Sequence, residues 1–397
     1  MQKTHSVPFE DVFSIPLKNG LTRPKAVRGS GTKMINMGEL FAYSRIKNVH
    51  TDRVPFSENE KSYLLEDGDL LFARQSLVLA GAGKCSIFMG DKEPVTYEGH
   101  IIRARLNKEI VDPFFYYYFF NSPVGRSAIE GIVEQVAAAG VRGSDLAKLK
   151  VPHFPLPEQR AIAGILGALD DKIELNRRMN RTLESMARAV FRQWFVENED
   201  VDSWEVGQVK DLGEVITGKT PPTNDRENYD GKIPFITIPD MHGKTFVIET
   251  GKTLSEKGVQ TQRNKTLPPF SICISCIATP GLVTMTTKPS QTNQQINSLI
   301  PNDEKSVFYS FFALRELGDE IRARGGGGSV LLNLNKGQFE TMPILIPPVD
   351  LMHKFQEFAE PLLMRLLANE KESRTLASLR DALLPKLMRG EVRVSEL

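Results

Sequence analysis

This 397-residue sequence has few cysteines, a net charge near zero and no long apolar run, and each of these features excludes a class of protein. Three cysteines are too few for the disulfide framework of a secreted domain, and they fit a reducing compartment. A formal charge of +1 excludes a chain that is strongly basic overall, although clustered charge can hide in that mean. No stretch approaches the roughly eighteen apolar residues of a membrane span, and the N-terminus lacks the apolar run of a signal peptide. The composition therefore predicts a soluble cytoplasmic protein of two or three domains, without membrane contact.

Catalytic and metal-binding motifs are scarce as well. Gly213–Thr220 satisfies the phosphate-loop pattern G-x-x-x-x-G-K-[ST], but Pro221 and Pro222 follow directly. Consecutive prolines oppose the helix whose first amides would bind a phosphate. Cys273 and Cys276 form a single C-x-x-C inside a run typical of a buried strand, and no second cysteine pair completes a zinc site. The six histidines are scattered, so we predict no catalytic residue, no metal site and no cofactor held by this chain.

A long amphipathic helix is predicted from Pro155 to Val196. After Pro157 this segment contains no proline, and after Gly167 it contains no glycine. Its apolar residues and two asparagines follow one another in alternating steps of four and three, the spacing of a coiled-coil seam. At 1.5 Å per residue, about forty residues make a helix roughly 60 Å long. The predicted seam consists of Ile162, Leu166, Leu169, Ile173, Asn176, Asn180, Leu183, Ala187, Val190 and Trp194.

A second long helix repeats the first near the C-terminal end of the sequence. Ile346–Pro348 resembles Pro155–Pro157, and Arg374–Leu379 resembles Arg181–Met186. In an antiparallel pair the asparagines of the two helices would meet in one central layer; the alternative is that they face solvent. The seam positions of this helix are Phe355, Phe358, Leu362, Leu366, Asn369, Leu376, Leu379, Leu383 and Leu387.

Each long helix follows a segment with short, strand-like apolar runs. Leu70–Ala73 and His100–Arg105 are typical of strands, and Asp112-Pro113 is typical of a helix start. The aromatic block Pro113–Phe120 is expected to pack in a core rather than to stack on bases, and Phe308–Phe312 repeats it.

The predicted fold is therefore α+β and repeats in tandem about a pseudo-twofold axis. Two similar strand-rich globular domains, 1–150 and 201–343, alternate with two helical segments, 151–200 and 344–397. The two long helices are expected to form an antiparallel coiled coil.

The remaining functional candidates in the sequence are polar and basic residues suited to binding DNA. Gln291–Asn297 is rich in amide side chains, which can pair with adenine in the major groove. Basic residues beside glycines or on predicted loops could contact DNA phosphates, and solvated surface is the alternative for each of them. The candidate DNA contacts are Arg74, Lys84, Arg142, Lys219, Thr220, Arg263, Lys265, Asn293, Gln294, Gln295 and Arg324.

Several motifs resemble those of the specificity subunits of type I restriction-modification systems, and the resemblance covers essentially the whole chain. The motifs that carry it are Pro155–Ile162, Asp170–Asn176, Phe191–Phe195, Leu212–Glu214 with Gly218–Pro221, and Leu384–Glu391.

The resemblance implies that the globular domains are target recognition domains, each reading one half of a split, asymmetric site on double-stranded DNA. It implies that the helices form a spacer, that two modification (methyltransferase) subunits methylate adenine, and that restriction subunits translocate and cut DNA. S-adenosylmethionine, ATP and Mg would then bind the partner subunits. The competing interpretation is a coiled-coil scaffold that binds only protein. A third interpretation, an enzyme, is not supported because the sequence shows no recognisable active site.

Overall fold

The computed structural model describes residues 5–135, 139–277, 279–325, 334–392 and 394. The chain forms two compact units. Unit 1 combines Met1–Glu174 with Ser373–Leu397, and unit 2 is Leu175–Glu372. Each unit therefore contains one strand-rich globule and part of both long helices. Among the described residues, no helix combines the length and the apolar character needed to cross a membrane.

The first globule is built on a five-stranded sheet. Its described strands are β1 (His5–Pro8), β2 (Phe13–Asn19), β3 (Thr32–Ile35), β4 (Arg45–Ile46), β5 (Asp52–Val54), β6 (Leu70–Ala73), β7 (Gln75–Ser76), β8 (Cys85–Phe88), β9 (Val95–Tyr97), β10 (Ile101–Leu106), β11 (Glu134–Gln135), β12 (Ala139–Gly140) and β13 (Lys150–His153). The large sheet has the order β2-β10-β6-β8-β4, and the smaller sheets are β5-β3-β9, β11-β12-β7 and β1-β13. All four residues of β6 are buried, as a central strand covered on both faces requires.

The aromatic block of the first globule forms a helix in its core, which confirms that part of the prediction. The described helices of this globule are α1 (Met37–Ala42), α2 (Pro113–Asn121), α3 (Pro123–Glu130) and α4 (Gly143–Lys148). Asp112 caps α2 by accepting a hydrogen bond from the amide of Phe114 at 2.8 Å, and Pro113 occupies the first helical position. The ring of Phe120 lies edge-on to that of Phe72, with centroids 4.9 Å apart.

The first long helix, α5 (Leu156–Phe195), follows this globule. Ile162 and Leu166 near its start pack in the core of unit 1, whereas Phe191 and Phe195 near its end pack in the core of unit 2. One helix therefore contributes to two separate cores.

The second globule repeats the strand order of the first. Its described strands are β14 (Glu205–Gln208), β15 (Gly213–Thr217), β16 (Tyr229–Ile236), β17 (Phe246–Val247), β18 (Thr253–Leu254), β19 (Ile272–Ser275), β20 (Val283–Thr286), β21 (Gln291–Thr292), β22 (Ile296–Pro301) and β23 (Pro343–Ile346). The order β15-β22-β19-β20-β17 matches that of the first large sheet, and β18-β16-β21 and β14-β23 match two of its small sheets. Among the described residues, the sheet β11-β12-β7 has no counterpart in the second globule.

Helices complete the second unit. They are α6 (Ile238–Met241), α7 (Glu256–Gln260), α8 (Val307–Gly325), α9 (Lys336–Glu340) and the second long helix, α10 (Val349–Met388). Like α5, α10 has 40 residues. It continues through Pro361, whose side chain faces solvent. The tandem α+β repeat with two long helices is thus present in the structure.

The two long helices run antiparallel within each unit. In unit 2 the Nδ2 of Asn176 donates to the carbonyl of Asn369 at 3.3 Å, and the Nδ2 of Asn180 donates to that of Leu366 at 3.2 Å. Asn176 and Asn369 are fully buried, 0% and 1% exposed. A buried asparagine layer of this kind fixes the register of a helix pair.

Burial along the helices extends beyond the predicted seam. The buried seam positions are Ile162, Leu166, Ile173, Asn176, Ala187, Phe355, Leu366, Asn369 and Leu387. The half-buried seam positions are Leu169, Asn180, Leu183, Val190, Trp194, Phe358, Leu362, Leu376 and Leu383. Leu379 is 47% exposed, so its placement in the seam is wrong. Ala163 and Leu363 are buried outside the seam because a second face of each helix packs on a globule core.

The predicted boundaries near 150, 200 and 343 separate globules from helices, and this division remains a prediction. The two compact units are divided within α5 and within α10.

Candidate nucleic-acid interface

A tight loop follows β15 in the second globule. The amides of Gly218 and Lys219 donate to the carbonyls of Ile296 (3.1 Å) and Thr292 (3.0 Å). These amides are therefore unavailable to a phosphate, and no helix begins at Lys219 or Thr220, as the two following prolines predicted. A Cβ on Gly218 would lie 2.2 Å from the carbonyl oxygen of Asn293, so the close contact between the two loops requires glycine.

Five candidate DNA contacts meet at this loop. The hydroxyl of Thr220 donates to Oε1 of Gln294 at 2.6 Å. Asn293 is only 9% exposed, and its side chain holds the turn by donating to Oε1 of Gln295 (3.0 Å) and accepting from the amide of Gln295 (3.1 Å). Gln294 and Lys219 are exposed. The arrangement leaves one amide and one cation facing outward, while Asn293 and Gln295 shape the turn beneath them.

A basic turn adjoins the same amide-rich segment. The buried side chain of Gln291 donates to Oγ1 of Thr266 at 2.9 Å and to the carbonyl of Gln262 at 3.3 Å. Those two residues flank the 3₁₀ turn that carries Arg263 and Lys265, of which Arg263 is exposed and Lys265 half-buried. Gln291 is thus used to anchor cations next to the amide loop, not to contact bases.

The first globule has an equivalent loop that the sequence reasoning missed. Gly20–Thr22 follows β2, and its first two amides donate to the carbonyls of Ile101 (3.1 Å) and Tyr97 (2.8 Å), as in the second globule. The repetition of Gly-Leu-Thr here as Gly-Lys-Thr at Gly218–Thr220 could have revealed it. Leu21, at the position of the lysine, is 7% exposed, so this loop presents no cation there.

Two candidate cations of the first globule lie around β6 and β8. Arg74 directly follows β6; its side chain is exposed, and its amide donates to the carbonyl of His100 at 2.8 Å. The Nζ of Lys84 donates to the carbonyl of Phe41 at 2.6 Å and lies 5.1 Å from the centre of its ring. Burial, and then the charge of Arg126, lower the pKa of Lys84.

Two further candidates are placed less favourably for DNA. Arg142 is paired with Glu134 at 2.8 Å, so a carboxylate already neutralises part of its charge. The side chain of Arg324 lies outside the described residues.

The cysteines are buried rather than poised for metal. Burial raises the pKa of Cys273 to about 12 and that of Cys276 to about 11, which disfavours the thiolate that a metal requires. Within the described part of the chain, no three His, Cys, Asp or Glu residues are grouped so as to hold a metal ion.

Comparison with known proteins links this geometry to a family. The family model described as "Type I restriction modification DNA specificity domain" matches residues 2–185 and 201–371, one match for each globule with part of the helix that follows it. The chain is 29% identical to the type I restriction enzyme HindI specificity subunit of Haemophilus influenzae, over 90% of this chain and 94% of that protein. It is 26% identical to the MjaIX specificity subunit of Methanocaldococcus jannaschii, over 82% of this chain and 80% of that protein.

A solved structure shares the fold. The crystal structure of a type I restriction-modification system S subunit from M. genitalium matches with a TM-score of 0.63 and 17% sequence identity, covering 96% of this chain and 95% of that one.

Proposed function

The chain belongs to the family of type I restriction-modification specificity subunits, and we propose that each of its globules reads one half of a split, asymmetric DNA site. As a specificity subunit it recognises DNA sequence and is not the catalytic part of the enzyme. The observation that supports the split site is the repeated sheet. Both globules have the same strand order and the same pair of hydrogen-bonded loops at one end of the large sheet.

The same loops carry different side chains in the two globules. Gly20–Thr22 and Glu98–His100 in the first globule correspond to Gly218–Thr220 and Asn293–Gln295 in the second. Base recognition depends on the donors and acceptors that a loop presents, so unlike loops on a common scaffold favour unlike half-sites.

The remaining parts of the enzyme would be supplied by partner subunits. Two modification subunits would dock on the long helices and methylate adenine, and restriction subunits would join them to cut DNA. S-adenosylmethionine, ATP and Mg would bind those partners. The location in the cytoplasm, where DNA and these subunits meet, is part of the same proposal.

Adenine-methylation mapping tests this function. Cells that carry this chain with its modification subunit are compared with cells that carry the modification subunit alone. We expect a split, asymmetric methylated motif that disappears when the chain is removed. An unchanged methylation pattern, together with a purified chain that shows no DNA preference, would instead support the scaffold interpretation.

The helix lengths provide a second test of the proposal. If the long helices set the distance between the half-sites, inserting four residues into both α5 and α10 lengthens each helix by roughly 6 Å. The unread spacer of the methylated motif should then grow by about two base pairs, since B-DNA rises roughly 3.4 Å per pair. A spacer of unchanged length would show that the helices do not act as a ruler.

A further inference from the structure

Three consecutive apolar residues stand exposed on the first globule, and we call Leu77-Val78-Leu79 the apolar tip. Leu77 is 98% exposed, Val78 63% and Leu79 43%. Phe41, 38% exposed, lies beside the turn that follows, because a Cβ on Gly81 would be 3.2 Å from its ring. Single exposed apolar side chains are ordinary, but a contiguous exposed group is a candidate binding site.

Hydrogen bonds hold the backbone on both sides of the apolar tip. On its N-terminal side, β7 pairs with β12 through Ser76 and Ala139. On its C-terminal side, a 3₁₀ turn closes with a hydrogen bond from the amide of Gly81 to the carbonyl of Val78 at 3.0 Å. The guanidinium of Arg126 donates to the carbonyls of Ala80 (3.1 Å) and Ala82 (3.2 Å). A preformed tip loses little conformational freedom on binding.

Basic residues flank the apolar tip in the sequence. The segment Arg74–Lys84 contains no acidic residue. Among the described residues, neither Arg74 nor Lys84 is ion-paired with a carboxylate; Lys84 donates instead to the carbonyl of Phe41, and Arg126 donates to the carbonyls of Ala80 and Ala82. Exposed apolar side chains flanked by cations that no carboxylate neutralises match a DNA duplex, whose phosphates attract the cations while its base pairs accept apolar surface.

The apolar tip also lies at the sheet end that carries the candidate DNA loops. The amide of Arg74 donates to the carbonyl of His100, and the amide of Cys276 donates in the same way to the carbonyl of Gln295. His100 therefore occupies the position of Gln295, next to the exposed Gln294 of the second globule. The tip extends from the strand that borders this loop.

We propose that the apolar tip is a wedge that inserts between adjacent base pairs of the half-site read by the first globule, with Arg74 and Lys84 contacting phosphates beside it. Apolar side chains inserted in this way partly unstack a base step and kink the duplex. This inference rests on the proposed function, because it needs DNA to be the ligand of the first globule.

The test uses the full-length chain with its modification subunit and duplexes that carry the methylated motif. 2-Aminopurine, whose fluorescence rises on unstacking, replaces one adenine at a time in the first half-site, except the methylated adenine, which a methyltransferase extrudes by itself. The test variant is Leu77→Ser with Val78→Ser and Leu79→Ser. The matched control is Ile110→Ser, since Ile110 is 43% exposed in the same unit but follows the opposite end of β10.

We expect wild type and the control to raise the fluorescence at one step of the first half-site, and the triple variant to lose that rise. The variant's affinity for the motif should fall between roughly tenfold and a hundredfold, as the transfer free energy of a buried leucine implies. Thermal unfolding should be unchanged, because the altered side chains are exposed.

Three results would overturn the wedge. They are the absence of a fluorescence rise with wild type, equal DNA affinity of the triple variant and wild type, and loss of the modification subunit from the variant with DNA affinity retained. The third would identify the tip as a protein interface. A scrambled duplex is the control that separates failure of the wedge from failure of the proposed function. If wild type binds the motif and the scrambled duplex equally well, both fail; if wild type prefers the motif but one of the three results is found, only the wedge fails.

Discussion

The two units use different chemistry at the same place, where a globule meets the long helices. In unit 1 the hydroxyl of Tyr118 donates to one carboxylate oxygen of Asp170 at 2.8 Å, and Nη1 of Arg380 donates to the other at 2.6 Å. In unit 2 the equivalent positions hold Phe311, Leu363 and Ala187, and all three are buried in its apolar core.

The equivalence follows from a constant offset of 193 positions, the separation between Asn176 and Asn369. Tyr116 and Tyr309 obey the same offset, and each donates its hydroxyl to the strand that precedes a long helix, β13 or β23. A common topology thus accepts a polar cluster in one copy and apolar packing in the other. Because a buried carboxylate placed against apolar surface is costly, the difference also matches each helix segment to its own globule.

The largest expected effect comes from breaking the polar cluster. Asp170→Ala removes the acceptor of the Tyr118 hydroxyl and one of the two carboxylates that bind the half-buried Arg380, which keeps Asp381. We therefore expect unit 1 to lose about 1–3 kcal/mol of unfolding free energy. Asp171→Ala is the matched control, since this neighbouring carboxylate pairs with Arg45 but is 69% exposed and should matter by less than about 1 kcal/mol. Urea unfolding of the full chain measures both, and equal effects would refute a special role for Asp170.

Converting unit 1 to the chemistry of unit 2 should recover that loss. The combined variant Tyr118→Phe, Asp170→Leu and Arg380→Ala removes all three polar groups together, so none is left buried without a partner. We expect its stability to lie between that of wild type and about 1–4 kcal/mol above it. If the combined variant is as unstable as Asp170→Ala, the two units do not share a common packing scheme.

The two globules can also be compared through their DNA loops. Gln294→Ala should relax base preference only in the second half-site, by about 1–3 kcal/mol, because Gln294 is the exposed amide of its loop. Lys219→Ala should weaken binding to all sequences alike and reduce the salt slope by about one, as for a phosphate contact. Titrations at several salt concentrations with matched and mismatched duplexes distinguish the two; a changed first half-site would contradict both assignments.

The smallest expected effect concerns the asparagine layer, where the two helices are alike. Asn369→Ala removes the donor to Oδ1 of Asn180 at 2.8 Å and should cost about 1 kcal/mol. The control, Leu379→Ala, changes an exposed position on the same helix and should stay within about 0.5 kcal/mol. Indistinguishable unfolding curves for the two variants would show that the asparagine layer adds no stability.

Much of this architecture could be predicted from local sequence patterns. Helix periodicity and the absence of breakers predicted α5, and Asp112-Pro113 predicted the start of α2. The second face of each long helix could not be predicted, because heptad spacing reports that a residue is buried but not which partner covers it. The Tyr118–Asp170–Arg380 cluster joins residues 52 and 210 positions apart, a distance over which no local pattern acts.

The DNA-binding loops were predicted only in part. An exposed glutamine and a turn-forming asparagine look alike in a sequence, so Asn293 and Gln294 could not be told apart before their hydrogen bonds were known. The exposure of the apolar tip could not be predicted, because a short run of leucine and valine is more typical of a buried strand.

The division of the chain between the units has a consequence for synthesis. Unit 2, Leu175–Glu372, is a continuous stretch, so every residue it needs has been translated once Glu372 is added. Unit 1 begins with Met1 but also requires Ser373–Leu397. Unit 1 therefore cannot form all its helix contacts until Ser373–Leu397 has been synthesised, whereas unit 2 can finish folding before that point. A chain that lacks Ser373–Leu397 should therefore contain a closed unit 2 and an open unit 1, and its proteolysis should begin in unit 1.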